Sequence, residues 1–190
     1  MLSENPKTIL DLGNIPLVNN LCDTKEESLN CKRYPLVIEQ HDDLLMKLSH
    51  EVDSDEVFSK YLFRSGINKP YIHHCKKMWY DIKHMLYGTH SDCCAENKPK
   101  KTIVDIGGND GTLLKAFKSQ SDGPLKLINV DASSSFRKEN EEVGIEYIQS
   151  YWGDVQLEEK ANLIVSTNVF QHTPDYRKFL QGIVDNLHGV

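Results

Sequence analysis

The stretch Ile103-Val104-Asp105-Ile106-Gly107-Gly108-Asn109-Asp110-Gly111-Thr112-Leu113-Leu114 decides the fold of this chain. An apolar run ends near an acidic residue, turns through glycines and enters an apolar helix. That is the strand, tight loop and helix N-terminus that open a nucleotide-binding α/β sheet. A phosphate-binding P-loop would end in Gly-Lys-Ser/Thr, which is absent. A dinucleotide fingerprint needs glycines where Asn109 and Thr112 stand. Asp110 sits where a pyrophosphate would meet the helix N-terminus, and like charges repel there. S-adenosylmethionine has no phosphate and carries a sulfonium cation, so an acidic glycine loop suits it.

The next unit points the same way. Leu125-Lys126-Leu127-Ile128-Asn129-Val130-Asp131 reads as a second strand ending in a carboxylate, placed to accept both ribose hydroxyls of an adenosine. The competing reading is that Asp131 caps the following helix together with Ser133 and Ser134.

Working outward, strand 102–106, helix 111–119, strand 126–130, a helix near 134–142, strand 145–148, a fourth strand over 161–168 and helix 174–187 alternate as βαβαβ. Right-handed crossovers with a switch point after the first strand predict an α/β fold with a partial Rossmann-like sheet of order 3-2-1-4. Ligands bind beyond the carboxyl ends of such strands. Gly107, Asp131, Tyr151, Asn168 and His172 are expected around one crevice there.

Upstream, Ile72, Cys75, Trp79, Ile82 and Leu86 recur at three- and four-residue steps, with Pro70 and Gly88 as start and stop signals. The expected organisation is therefore a small irregular module over 1–69, a connecting helix and linker over 70–101, and the sheet over 102–190. The first module shows irregular spacing and scattered turn residues (Gly13, Pro16, Asn19, Asn20, Pro35), so little regular structure is expected there.

The 190 residues carry a formal net charge of −6 and no basic stripe, which argues against a nucleic-acid partner. The N-terminus lacks the pattern of a signal peptide and no apolar run reaches membrane-spanning length. A soluble, cytoplasmic protein with no membrane partner is expected. The odd number of cysteines, five, fits reduced thiols. A metal reading would recruit His84, His90, Cys93 and Cys94, but their spacing matches no recognised zinc pattern.

Several further segments carry a family resemblance. Leu12-Gly13-Asn14-Ile15-Pro16-Leu17-Val18-Asn19-Asn20-Leu21, Tyr34-Pro35-Leu36 and Phe58-Ser59-Lys60-Tyr61-Leu62-Phe63-Arg64-Ser65-Gly66 resemble the N-terminal module of sugar C-methyltransferases. Asp105 to Leu114 resembles their cofactor loop, and Asn168-Val169-Phe170-Gln171-His172-Thr173-Pro174-Asp175 the segment after their fourth strand. The resemblance implies a class I methyltransferase that uses S-adenosylmethionine to methylate a carbon of a nucleotide-linked keto-deoxysugar through an enolate. It implies cofactor contacts from Asp105, Gly107, Asn109, Gly111, Asp131 and Asn168. It also implies an aromatic pair, Tyr151-Trp152, around the adenine, with core packing as the rival role. His172 is the candidate acid/base or enolate-stabilising group, against a local helix-start role. Tyr61 is the second catalytic candidate, through a phenol that donates to an enolate oxygen, against packing at the domain interface.

The chain departs from the family in two ways. Gln40 and Asp43 stand where the second zinc-binding cysteine pair belongs, and Cys22 and Cys31 do not fit the pattern, so no structural zinc is expected. The sequence also stops at Gly189-Val190, where the family's fifth strand begins. That leaves the fourth strand as an open edge, and a partner chain or self-association is one way of covering it. The alternative to an active enzyme is a truncated, non-catalytic cofactor-binding or scaffold protein that needs a partner chain.

Overall fold

The computed structural model describes residues 6–18, 21–41, 46–58, 63–88 and 98–189. It divides into two compact units, Met1–Leu62 and Phe63–Val190.

The first unit differs from the irregular module expected. Strands β1 (Lys7–Pro16), β2 (Arg33–Gln40) and β3 (Met46–Leu48) form an antiparallel sheet in that order, with helix α1 (Lys25–Asn30) between β1 and β2 and α2 (Ser54–Phe58) after β3. The reason for the mismatch is physical. Register shifts between Thr8 and Leu10 and between Asp11 and Asn14 break the period of two, and nearly every residue of β1 is exposed. A strand with neither steady alternation nor a buried face leaves no hydrophobic signature. Helix α1 is held by a capping box, in which Thr24 accepts from Glu27 N–H while the Glu27 carboxylate reaches back to the Thr24 N–H. Tyr34 donates to Glu56, which also pairs with Lys32 at 2.9 Å.

The second unit begins with a one-turn 3-10 helix, Ser65–Ile67, and α3 (Lys69–Tyr87). The Asn68 side chain caps α3 by accepting from Tyr71 N–H, and Gly88 ends the helix at φ 78°. The apolar stripe behaves as its spacing predicts: Cys75, Trp79 and Leu86 are buried, and Ile82 packs against the same cluster. Trp79 is 1% exposed, lies tilted against Phe117 at 5.2 Å between ring centroids, and donates its indole N–H to Gln120 O. Burying such a side chain stabilises the fold by about 2–3 kcal/mol.

Strands β4 (Lys101–Ile106), β5 (Leu125–Asp131), β6 (Glu146–Gln149) and β7 (Leu163–Ser166) form a parallel sheet of order β6-β5-β4-β7, the 3-2-1-4 arrangement expected. Helices α4 (Thr112–Gln120), α5 (Arg137–Glu141) and α6 (Tyr176–Asn186) connect and close it. One core cluster, with Trp79, Ile103, Leu113, Leu114 and Phe117, lies under α3 and α4; a second, with Val104, Ile106, Ile128, Val130 and Phe179, includes α6. Because both faces are covered, β4 is buried almost throughout, as a central parallel strand should be. β7 pairs with β4 alone among the described strands. No described helix is long and apolar enough to cross a membrane.

Candidate functional site at the carboxyl ends of the parallel strands

Parallel pairing sets Ile106 beside Val130 and Ser166, so the loop after β4, the end of β5 and the end of β7 leave the sheet on the same side. Gly107 donates its N–H to Val130 O at 2.7 Å and turns with φ 65°. A Cβ there would come within 2.5 Å of Val169 Cγ2, so the segment after β7 packs directly on the loop and only glycine fits between them. Asn168 itself has φ 58°, which turns the chain sharply out of β7. His172 follows in the exposed 3-10 turn Phe170–His172, its N–H donating to Val169 O.

A network of three buried asparagines fixes the loop. Asn129 Oδ1 accepts from Gly108 N–H, and its amide donates to Asn109 O and Asn140 Oδ1. The Asn140 amide donates to Asn109 O and Phe136 O. Together these bonds hold Asn109 at φ 54°, a conformation that asparagine tolerates better than most residues. Gly111, at φ 75°, fits against the same amide: a Cβ there would lie 2.3 Å from Asn140 Oδ1. Gly111→Ala is therefore expected to destabilise the protein by at least about 2 kcal/mol, through left-handed strain and displacement of a buried amide. Denaturant unfolding checks this, and a change within about 0.5 kcal/mol would contradict it.

Three carboxylates surround the loop in different environments. Asp110 Oδ1 accepts from Thr112 N–H at 3.2 Å and from its hydroxyl at 2.6 Å, so a carboxylate already occupies the α4 N-terminus. Asp131 Oδ2 accepts from Asn109 N–H and Oδ1 from Ser133 N–H, both at 2.9 Å. Helix α5 starts from Phe136 without a side-chain cap, so the helix-capping alternative for Asp131 is not what forms. Burial pushes the Asp131 carboxyl up, and the two backbone N–H donors pull it part of the way back. Asp105 is 1% exposed, and its Oδ1 has no hydrogen-bond partner among the described residues. Burial, then repulsion from Asp131, push it up to about 8.

Two expected site residues stand elsewhere. Trp152 is 8% exposed, sits in the second core cluster and donates its indole N–H to Phe179 O, so it has the core-packing role and does not face a ligand. An aromatic pair read from sequence cannot show which ring turns inward; Tyr151, its neighbour, is 38% exposed. The Asn109 side chain bonds Phe63 O and Ser65 N–H, while its backbone N–H donates to Asp131 and its O accepts from Asn129 and Asn140, so it shapes the loop by holding its neighbours. Tyr61 lies outside the described residues, as do His90, Cys93, Cys94 and Asp43. Among the described residues no group of three or more His, Cys, Asp or Glu side chains could hold a metal.

Sequence reasoning passed over Asn129, Asn140 and Tyr71. Asn129 had a signal, a polar side chain within an apolar strand; Asn140, in a charged helix, had none. Tyr71, on α3, places its hydroxyl 3.1 Å from Thr167 Oγ1 at the end of β7. Burial pushes that phenol up to about 12, so it stays protonated near neutral pH. The site thus offers a glycine loop, an anchored carboxylate at the β5 end and a buried carboxyl beneath. With the helix N-terminus already taken by Asp110, it suits a ligand bearing hydroxyls and positive charge over one bearing phosphate.

This fold and loop define a methyltransferase-type α/β domain. The methyltransferase-domain family profile matches residues 78–188, more than half of the chain, and the chain belongs to that family. No curated protein matches the sequence. Among solved structures, the plantazolicin methyltransferase BamL, in complex with a triazolic desmethyl analogue and S-adenosylhomocysteine, matches at TM-score 0.51 and 14% identity, over 66% of this chain and 46% of that one. The related BpumL complex matches at 0.50 and 14%, over 65% and 45%. YcgJ of Bacillus subtilis matches at 0.44 and 19%, over 60% and 46%. The chain spans less than half the length of each of these structures.

Proposed function

We propose that this chain binds S-adenosylmethionine at the loop after β4 and acts as a methyltransferase. The observation that carries this reading is the Asp110 carboxylate seated on the α4 N-terminus, where a phosphate-bearing cofactor would need free N–H donors. The remaining donors and acceptors fit. Each oxygen of Asp131 receives one backbone N–H and keeps lone pairs for ribose hydroxyls. Beneath the loop, the Asp105 carboxyl is 1% exposed, and its Oδ1 has no hydrogen-bond partner among the described residues.

When bound, S-adenosylmethionine supplies an electrophilic methyl group carried on a sulfonium. Gly107 and Gly111 let the loop turn tightly against Val169 and the Asn140 amide, Asp131 orients the cofactor, and the buried network beneath keeps water out. The finer reading, C-methylation of a nucleotide-linked keto-deoxysugar, rests on the motif resemblance from Leu12 to Asp175. In it, His172 takes the proton from the carbon beside the keto group, and a phenol such as that of Tyr61 donates to the enolate oxygen.

Methyl transfer from labelled S-adenosylmethionine to a keto-deoxysugar nucleotide tests this. Label on the sugar carbon supports the full reading. Label on a different small acceptor keeps the methyltransferase and removes the sugar. Cofactor binding without transfer to any acceptor favours the non-catalytic alternative that requires a partner chain.

A further inference from the structure

Asn109 and Asp110 spend their side chains on the backbone of a segment more than forty residues earlier. Asn109 Nδ2 donates to Phe63 O at 2.9 Å, and its Oδ1 accepts from Ser65 N–H at 3.2 Å. Asp110 Oδ2 accepts from Gly66 N–H at 2.8 Å. Gly66 fits tightly, since a Cβ there would lie 2.8 Å from Asp110 Oδ2 and 3.0 Å from Thr112 Oγ1. Arg64 adds a second attachment, an ion pair with Glu139 at 2.6 Å and a guanidinium 5.3 Å from the Phe136 ring centroid. Phe136 and Glu139 flank the turn of chain whose Asn140 fixes the loop from the other side.

We propose that Phe63–Gly66 is a wall of the cofactor site whose docking is coupled to cofactor occupancy, with Asn109 and Asp110 as the positioning residues that carry the coupling. The inference rests on the S-adenosylmethionine reading above. Its route is short. Asp131, the candidate ribose acceptor, takes the Asn109 N–H, and the side chain of the same Asn109 grips Phe63 and Ser65. A ligand that fixes Asp131 and the loop fixes Asn109 in its left-handed conformation, the one in which its amide meets the segment. Linkage makes the effect reciprocal: the factor by which the cofactor favours docking of Phe63–Gly66 is the factor by which the docked state binds cofactor more tightly than the undocked one. The segment is held mainly by side-chain bonds at its backbone rather than by a buried apolar face, and such elements open locally before the rest of a domain does.

Amide hydrogen exchange of the full chain, with and without saturating S-adenosylmethionine, tests this, with binding followed in parallel by calorimetry. Exchange at Ser65 and Gly66 is expected to slow at least about tenfold on binding, and by more than at the α6 amides, which report general stabilisation. Gly66→Ala, which crowds Asp110, is expected to raise the cofactor Kd about tenfold while the variant still unfolds in one cooperative transition. Cofactor binding with unchanged exchange at Ser65 and Gly66, or with slowing equal to that of α6, would overturn the coupling and leave the cofactor reading intact. Absence of cofactor binding in the folded wild-type chain would remove that reading and the coupling together.

Discussion

Replacing Asp131 by alanine is expected to weaken S-adenosylmethionine binding by at least about 100-fold. The carboxylate does two jobs at once. It accepts the Asn109 N–H at 2.9 Å, which helps to hold the glycine loop, and in the proposed site its remaining lone pairs accept ribose hydroxyls. Hydrogen bonds to a charged acceptor contribute roughly 1.5–3 kcal/mol each, so losing two reaches 100-fold without counting the loosened loop. Calorimetric titration of the variant measures it. Asp131→Asn retains an acceptor for Asn109 and should keep the loop, so its smaller loss separates the ribose contribution from loop support. Near-native affinity in Asp131→Ala would place the cofactor's ribose elsewhere.

Asp105→Asn is expected to remove a loss of stability that the wild-type chain suffers as pH rises. In the folded chain this carboxyl is buried and pushed up to about 8, against an ordinary value near 3.8. Below the ordinary value both folded and unfolded states hold the proton, and the stabilisation from a neutral buried acid is fully present. As pH rises, the unfolded state releases its proton while the folded state retains its own, so that stabilisation is progressively lost up to about pH 8. The loss is on the order of 2–4 kcal/mol near neutrality. The asparagine variant has no proton to release. Its melting temperature relative to wild type should therefore rise by roughly 5 °C or more between pH 4 and pH 8. Thermal melts across that pH range test this; a constant difference between variant and wild type would show that Asp105 titrates normally.

These predictions rest on residues that were unequally visible in the sequence. The loop from Asp105 to Thr112, the sheet order and the stripe on α3 were legible because each depends on local pattern: glycines where φ turns positive, apolar runs bounded by turns, and helical periodicity. Asp131 was legible because its position at a strand end follows from the fold. The asparagine network was not, since the amides of Asn129 and Asn140 converge on the backbone carbonyl of Asn109 from separate elements. The grip on Phe63–Gly66 was hidden for the same reason. It joins backbone groups to side chains 44 and 46 residues away, and a backbone partner leaves no mark in residue type. That grip also changes the meaning of Asn109. In sequence its departure from a dinucleotide fingerprint suggests ligand chemistry, whereas its side chain holds the Phe63 and Ser65 backbone. Trp152 shows the converse limit, an aromatic just beyond the carboxyl end of β6 that turns into the core.

Calorimetric titration of the purified chain with S-adenosylmethionine, with NAD as the control, tests the central claim most directly. The account predicts saturable binding of one S-adenosylmethionine per chain and no binding of NAD, because Asp110 occupies the α4 N-terminus that a pyrophosphate would need. A folded sample that binds NAD, or that binds neither ligand, would contradict it.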